Sequence, residues 1–104
     1  MLRCTPPYIP GTDRERINAY AGIVAQAVAE LIRQGYTPIS FGGDIVAPGL
    51  PTIQVAPNHR TAQAIERDYA TYYKHDTLTG TPRRWGTLLN APPGVRVIFI
   101  EREH

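Results

Sequence analysis

The strongest constraint in this sequence is a long amphipathic segment that carries a start signal and a stop signal. Thr12-Asp13-Arg14-Glu15 has the pattern of a capping box, in which the first and last side chains each bond the backbone N–H of the other residue. Apolar residues then recur at spacings of three and four, at Ile17, Tyr20, Ala21, Val24, Val28, Leu31 and Ile32. Gly35 is a natural left-handed C-cap. The pattern predicts a helix over residues 13–34 whose apolar stripe needs a second layer to pack against.

Three later segments have the composition of β-strands. Residues 37–41 and 52–56 alternate apolar and polar side chains and are joined by a turn-rich connection. No crossover helix separates them, so we expect an antiparallel pair. Residues 95–101 are apolar on both faces, which predicts a central strand. Leu2–Cys4 can add at most a brief edge strand, because prolines crowd the first twelve residues.

A second helix is expected over residues 59–74, with Asn58 as its N-cap. Its apolar stripe would be Ala62, Ile65, Tyr69, Tyr72 and Tyr73. Residues 76–94 contain six glycine and proline residues and look irregular. A loop of that length is unusual in a compact domain, which suggests a short element near Gly86–Asn90 or a binding loop.

These elements predict an α+β fold in one globular domain over residues 1–104. The simplest packing is a small, mostly antiparallel sheet with two helices on one face, in the order (β)αββαβ. A proline-rich segment at residues 1–11, the long loop at 76–94 and a frayed charged tail at 102–104 complete the expected organisation.

Composition excludes several classes of protein. The chain has 104 residues and 42% hydrophobic content, and Lys+Arg 11 against Asp+Glu 9 gives a net charge of +2. This balance excludes a polycation and an acidic nucleic-acid mimic, and argues against a disordered chain. No apolar run is long enough for a membrane helix, and no signal peptide is evident. A single cysteine favours a reducing compartment, so we expect a cytoplasmic location and no membrane partner.

The familiar catalytic and cofactor patterns are missing. The Gly42-Gly43 pair is followed by neither Lys-Ser/Thr nor a helix, so a hairpin turn is the better interpretation. His59 and His75 lack metal-ligand spacing and are expected at the surface. Cys4 is the only thiol, and nothing places a base and an orienting group beside it. We therefore predict a protein that is not an enzyme and that uses no cofactor and no metal.

The most informative patch is Thr81-Pro82-Arg83-Arg84-Trp85-Gly86, which joins two guanidinium groups to the only tryptophan. Arginine and tryptophan are enriched at binding hot spots and also suit phosphate contact with base stacking. The predicted binding residues are Arg83, Arg84, Trp85, Tyr72, Lys74 and Arg60. In the alternative interpretation, Trp85 caps the core and the two arginines only solvate the loop. Tyr72 and Tyr73 cannot both point inward on a helix, so one of them should be partly exposed.

The order of motifs resembles that of small accessory proteins of unknown function in phages and prophages of GC-rich bacteria. The matching runs are Gly35-Tyr36-Thr37-Pro38-Ile39, Pro51-Thr52-Ile53-Gln54-Val55, Arg83-Arg84 and Gly94-Val95-Arg96-Val97. The resemblance implies a biological context and no catalytic residues.

Two binding hypotheses and one enzymatic hypothesis follow. The leading one is a non-enzymatic phage-type accessory protein that acts by binding, for example by inhibiting a host or defence protein. A phage protein is the other candidate partner. The alternative is a nucleic-acid-binding module built on the Arg-Arg-Trp loop with Arg60 and Lys74. An enzyme built around His75 and Asp76 comes third. A homo-oligomer is compatible with each, because a small sheet leaves edges that a second copy could cover.

Overall fold

A computed structural model describes residues 13–42 and 50–103 of the chain. The predicted edge strand at Leu2–Cys4, the Thr12 cap, the thiol of Cys4 and the centre of the predicted hairpin turn after Gly42 lie outside these residues. The elements are α1 (Asp13–Arg33), β1 (Pro38–Gly42), β2 (Thr52–Val55), α2 (His59–Glu66), β3 (Ala70–Leu78), β4 (Thr81–Leu88) and β5 (Arg96–Arg102).

The first helix forms as predicted and ends through its glycine. Gly35 has a φ of 95°, and the Tyr36 N–H donates to the Leu31 carbonyl at 2.9 Å. Within the described residues, the predicted stripe buries Tyr20, Val24 and Leu31, and the buried Ala27 joins them. Ala21 and Ile32 were expected in this stripe, but both are exposed, because only the side of α1 that faces the sheet is buried.

The five strands form one mixed sheet in the order β1-β2-β5-β4-β3. The pairs β1–β2, β5–β4 and β4–β3 are antiparallel, and β2–β5 is parallel. This confirms the α+β class, the mostly antiparallel sheet and the central position of the last strand. The parallel pairing is possible because the chain passes through α2 and the β3–β4 hairpin before it returns as β5.

Both helices pack on the same face of this sheet, which we call the helix-covered face. The cluster of buried residues joins Leu31 of α1 and Ala64 of α2 to Val55, Val97 and Phe99 of the sheet. Thr61 is fully buried, and its hydroxyl donates to the Asn58 carbonyl. Asn58 is the predicted N-cap of α2, and its side chain accepts hydrogen bonds from the N–H groups of Arg60 and Thr61.

The prediction of a helix over residues 59–74 is wrong beyond Glu66. Helix α2 ends there, Asp68 adopts a left-handed φ of 62°, and residues 70–78 form β3. The segment Ala70–Leu78 contains two threonines and two tyrosines, residue types that fit a pleated, half-buried surface better than a helix. The spacing of three and four between Tyr69, Tyr72 and Tyr73 therefore does not indicate a helix here.

The prediction of an irregular segment at residues 76–94 is also wrong, because β4 occupies residues 81–88. Thr79 and Gly80 have φ values of 47° and 80° and lie between the paired residues Leu78 and Thr81. Positive φ at both central residues is the type I′ hairpin geometry, which matches the twist of the two strands.

Gly86, which suggested a chain break in the sequence, has a packing role inside β4. It is paired with Phe99 on β5 and with Tyr72 on β3. A Cβ at position 86 would lie 2.2 Å from Cζ of Phe99, so the ring occupies the space that a side chain would take. The Phe99 and Tyr72 rings meet edge to face across this glycine, with centroids 6.2 Å apart.

In the described part of the chain, no helix is long and apolar enough to cross a membrane.

Candidate binding face of the sheet

The alternation of strand residues divides the Arg-Arg-Trp segment between the two faces of the sheet. Gly86 and Leu88 are buried against the helices, so Arg84 shares their face, whereas Arg83 and Trp85 lie on the other side. We call that side the open face, because neither helix packs on it. Its side chains are those of Ser40, Thr52, Gln54, Thr71, Tyr73, Lys74, Asp76, Leu78, Thr81, Arg83, Trp85, Thr87, Arg96, Ile98, Ile100 and Arg102.

Trp85 is half-buried at the centre of the open face, with two cations near its ring. Lys74 Nζ lies 4.3 Å from the ring centroid, and Arg83 Cζ lies 5.4 Å from it. Both distances fit cation–π attraction, which holds these positive charges above the sheet. The indole Nε1 is buried and has no hydrogen-bond partner within the described residues. It nevertheless lies near the Asp76 carboxylate and helps to lower the pKa of Asp76.

The only carboxylate on the described part of the open face, that of Asp76, is paired with Arg83. Arg83 Nε and Nη2 donate to the two Asp76 oxygens at 2.9 and 2.7 Å, a bidentate arrangement. The hydrogen bonds from Arg83 lower the pKa of Asp76, although partial desolvation opposes the change. The same hydrogen bonds raise the pKa of Arg83. Both groups are therefore fully charged at neutral pH.

The other three basic side chains of the open face have no carboxylate partner within the described residues. Lys74 and Arg102 are exposed, and neither belongs to an ion pair there. Arg96 is exposed as well, and its Nε donates to the Thr52 hydroxyl at 3.3 Å. Arg102 lies opposite Arg83 across the β4–β5 pair, and like charges in that position destabilise a sheet. This face therefore carries an excess of positive charge that local pairing does not neutralise.

A shallow groove crosses the open face beside Arg96. It has a volume of about 440 Å³ and is lined by Thr52, Tyr73, Thr87, Arg96 and Ile98. Tyr73 is 51% exposed and lies where the β3–β4 register shifts between Tyr72 and Lys74. The exposure of one of the two adjacent tyrosines is confirmed, although the cause is a strand with a bulge and not a helix.

Tyr72 and Arg84 belong to a separate cluster on the helix-covered face. The Tyr72 hydroxyl donates to Glu101 Oε1 at 2.8 Å, and Arg84 Nε donates to the same oxygen at 2.9 Å. Arg84 also lies over the Tyr72 ring, 4.3 Å from the centroid. Burial and the hydrogen bond to Glu101 both raise the pKa of Tyr72. These two predicted binding residues therefore stabilise one end of the sheet and face away from Trp85.

Arg60 lies apart from both clusters, at the start of α2. Its Nε donates to the Gln34 carbonyl at 2.9 Å, and its guanidinium lies 4.9 Å from the Tyr36 ring centroid. One terminal nitrogen, Nη1, is buried and has no hydrogen-bond partner in the part of the chain that the structure describes. Arg60 thus connects α2 to the segment that follows α1. Of the six predicted binding residues, the open face brings together Lys74, Arg83 and Trp85.

Sequence reasoning missed three residues of the open face: Tyr73, Arg96 and Arg102. A usable signal was present for the two arginines, because period-two alternation along β5 places both on the same side as Ile98 and Ile100. No signal marked Tyr73, because its position depends on a register shift between β3 and β4.

The described residues offer little else in the way of chemical sites. His59 and His75 are exposed, as predicted, and His75 Nδ1 lies 2.9 Å from a Glu103 oxygen. Within residues 13–42 and 50–103, no group of three histidine, cysteine or acidic side chains could hold a metal ion. Comparisons with protein-family models, with curated proteins and with solved structures find no match to this chain.

Proposed function

We propose that this chain is a non-enzymatic binding protein that holds single-stranded nucleic acid on the open face of its sheet. The observation that carries the proposal is that Lys74, Arg83, Arg96 and Arg102 share the open face with one carboxylate among the described residues. Such a distribution attracts a phosphate backbone, whose affinity depends on the number of cations it meets.

The small net charge of the chain is compatible with this proposal because the charges are separated in space. Glu101 and Glu103 are directed to the helix-covered side, where they pair with Arg84 and His75. The charge of +2 for the whole sequence therefore understates the positive potential of the open face.

Aromatic residues favour a single strand over a duplex. Trp85 and Tyr73 lie on the same face as the cations, next to the apolar side chains of Ile98 and Ile100. Sheet faces with exposed aromatic rings bind unstacked bases, which a duplex keeps inside its helix.

We rank second the proposal that the partner is a host, defence or phage protein. The same cations would also attract an acidic protein surface, and the resemblance to phage accessory proteins favours such a role. Interleaved aromatic side chains and unpaired arginines, however, match a strand of alternating bases and phosphates more closely.

The test is binding of a labelled oligothymidylate and an oligouridylate of about ten nucleotides, a length within the range of known single-strand sites. Fluorescence anisotropy gives the Kd at several salt concentrations between about 50 and 200 mM. If all four cations contact phosphates, the slope of log K against log salt is about −2.8, and each lost contact reduces it by about 0.7.

Lys74→Gln and Arg102→Gln should each weaken binding and flatten this slope, because both residues are exposed and have no acidic partner among the described residues. Arg84→Gln is the control for the loss of one positive charge, because Arg84 lies on the helix-covered face. Absence of binding at low salt would refute the nucleic-acid proposal. A protein partner that survives nuclease treatment and is lost in Lys74→Gln would support the protein alternative instead.

A further inference from the structure

We propose that the groove beside Tyr73 is a nucleotide subsite, in which one base stacks on the Tyr73 ring and its phosphate is bound by Arg96. This inference rests on the proposed function and assigns a particular place on the open face to one nucleotide of the bound strand.

The first line of support is the bulge that positions Tyr73. Tyr72 is paired with Gly86 and Lys74 with Trp85, so Tyr73 is an extra residue opposite the junction of these pairs. In a regular strand, the side chains of Tyr73 and Lys74 would point to opposite faces of the sheet. Because of the bulge, both lie on the open face. Bulges of this kind re-aim a side chain and are over-represented next to functional sites.

The second line of support is the accessibility of the ring. Lys74 and Arg83 already lie close to the Trp85 ring, and Arg84 lies over Tyr72. No cation contacts Tyr73 among the described residues, and half of its side chain is exposed to solvent. On the open face, Tyr73 is therefore the aromatic ring that can accept a base without first displacing a cation.

The third line of support is the composition of the groove. Ile98 supplies an apolar wall, Thr52 and Thr87 supply hydroxyl groups, and Arg96 supplies the charge. The Thr52 hydroxyl accepts a hydrogen bond from Arg96 Nε, which positions the guanidinium at one side of the groove. A volume of about 440 Å³ lies within the range of ligand sites in proteins. The shallow shape suits one unit of a continuing strand, whereas an isolated small molecule is usually enclosed.

The experiment compares two strands of equal length and charge: an oligothymidylate and a matching strand of abasic sites. Removal of the bases leaves every phosphate in place, so the difference in affinity measures the contribution of the bases. Loss of a stacked base by alanine substitution corresponds to about 5- to 150-fold in affinity. We expect Tyr73→Ala to weaken binding of the oligothymidylate by a factor in this range and to reduce its advantage over the abasic strand.

The variants differ in what they should do to the salt dependence. Tyr73→Ala should leave the slope of log K against log salt unchanged, because it removes no charge. Arg96→Gln should flatten that slope by about 0.7, because it removes one phosphate contact. Tyr73→Phe should keep the affinity of the wild type, because it retains the ring.

Tyr69→Ala and Arg67→Gln are the matched controls, since both residues are exposed and lie outside the groove. Thermal unfolding of each variant verifies that the fold is retained. One outcome refutes the subsite and leaves the proposed function standing. In that outcome the wild type binds and Lys74→Gln weakens binding, but Tyr73→Ala binds both strands as the wild type does. If the wild type binds neither strand at low salt, both proposals are refuted.

Discussion

Replacement of Gly86 by alanine should destabilise the protein because Phe99 occupies the space of the missing side chain. The added Cβ would lie 2.2, 2.5 and 2.8 Å from three carbons of the Phe99 ring. Phe99 is completely buried and contacts Tyr72 edge to face, so its ring cannot swing into solvent. Overpacking a core costs about 1–3 kcal/mol, and three such contacts place this variant at the upper end, near 3 kcal/mol.

The expected result is a decrease in Tm of roughly 10–20 °C, because a domain of this size loses about 4–8 °C for each kcal/mol. Alanine restricts the unfolded chain more than glycine does, which offsets about 0.4–1 kcal/mol of the cost. Circular dichroism during heating and urea unfolding at 25 °C would measure the change. Gly22→Ala is the control: its Cβ would meet nothing within 4 Å, and at this exposed position of α1 alanine should stabilise the protein by about 0.5–1 kcal/mol.

A double-mutant cycle with Phe99→Leu tests the cause. Leucine lacks the outer ring carbons that the new Cβ would meet, so Gly86→Ala should cost at least about 1 kcal/mol less in that background. An equal cost in both backgrounds would refute the reasoning, because the destabilisation would then come from the strand backbone and not from Phe99.

Two further predictions concern the hairpin and its ion pair. Thr79→Asn should raise the free energy of unfolding by a few tenths of a kcal/mol or more. Asparagine tolerates the left-handed φ of 47° at this position, and Asn-Gly is favoured in type I′ turns. An unchanged or lower urea midpoint would contradict this prediction. Asp76 has a lowered pKa in the folded state, so its contribution to stability is present above about pH 4 and is lost as the pH falls toward the folded-state pKa. The stability difference between wild type and Asp76→Asn should therefore shrink between pH 6 and pH 3 in urea unfolding, and a constant difference would exclude the Arg83 pair as its source.

Local signals were sufficient where a segment carries its own boundaries. The stop signal at Gly35 predicted the end of α1, and the Asn58 cap predicted the start of α2. The central position of β5 also followed, because apolar residues on both faces are typical of a strand that has a neighbour on each side.

The β3–β4 hairpin was missed because its signals are ambiguous in isolation. Tyrosines at positions 69, 72 and 73 fit a helical stripe, and Gly86 looks like a breaker until Phe99 is known to lie over it. The reason for a glycine at position 86 within the strand is Phe99, a residue that is distant in sequence. The open face depends on the same hairpin, so the sequence could indicate Arg83 and Trp85 as binding residues without showing that Arg84 faces the other way.

The position of β5 between β2 and β4 also has a consequence for how the chain reaches its fold. The β1–β2 pair and the β3–β4 hairpin are each local, but in the sheet β5 lies between β2 and β4. Until β5 has been synthesised and inserted, the β1–β2 pair and the β3–β4 hairpin present unpaired edges at β2 and β4. Completion of the sheet is therefore a late, long-range step whose rate depends on closing the loop through α2. During that interval, a chaperone or a second unfinished chain can compete with β5 for the exposed edges.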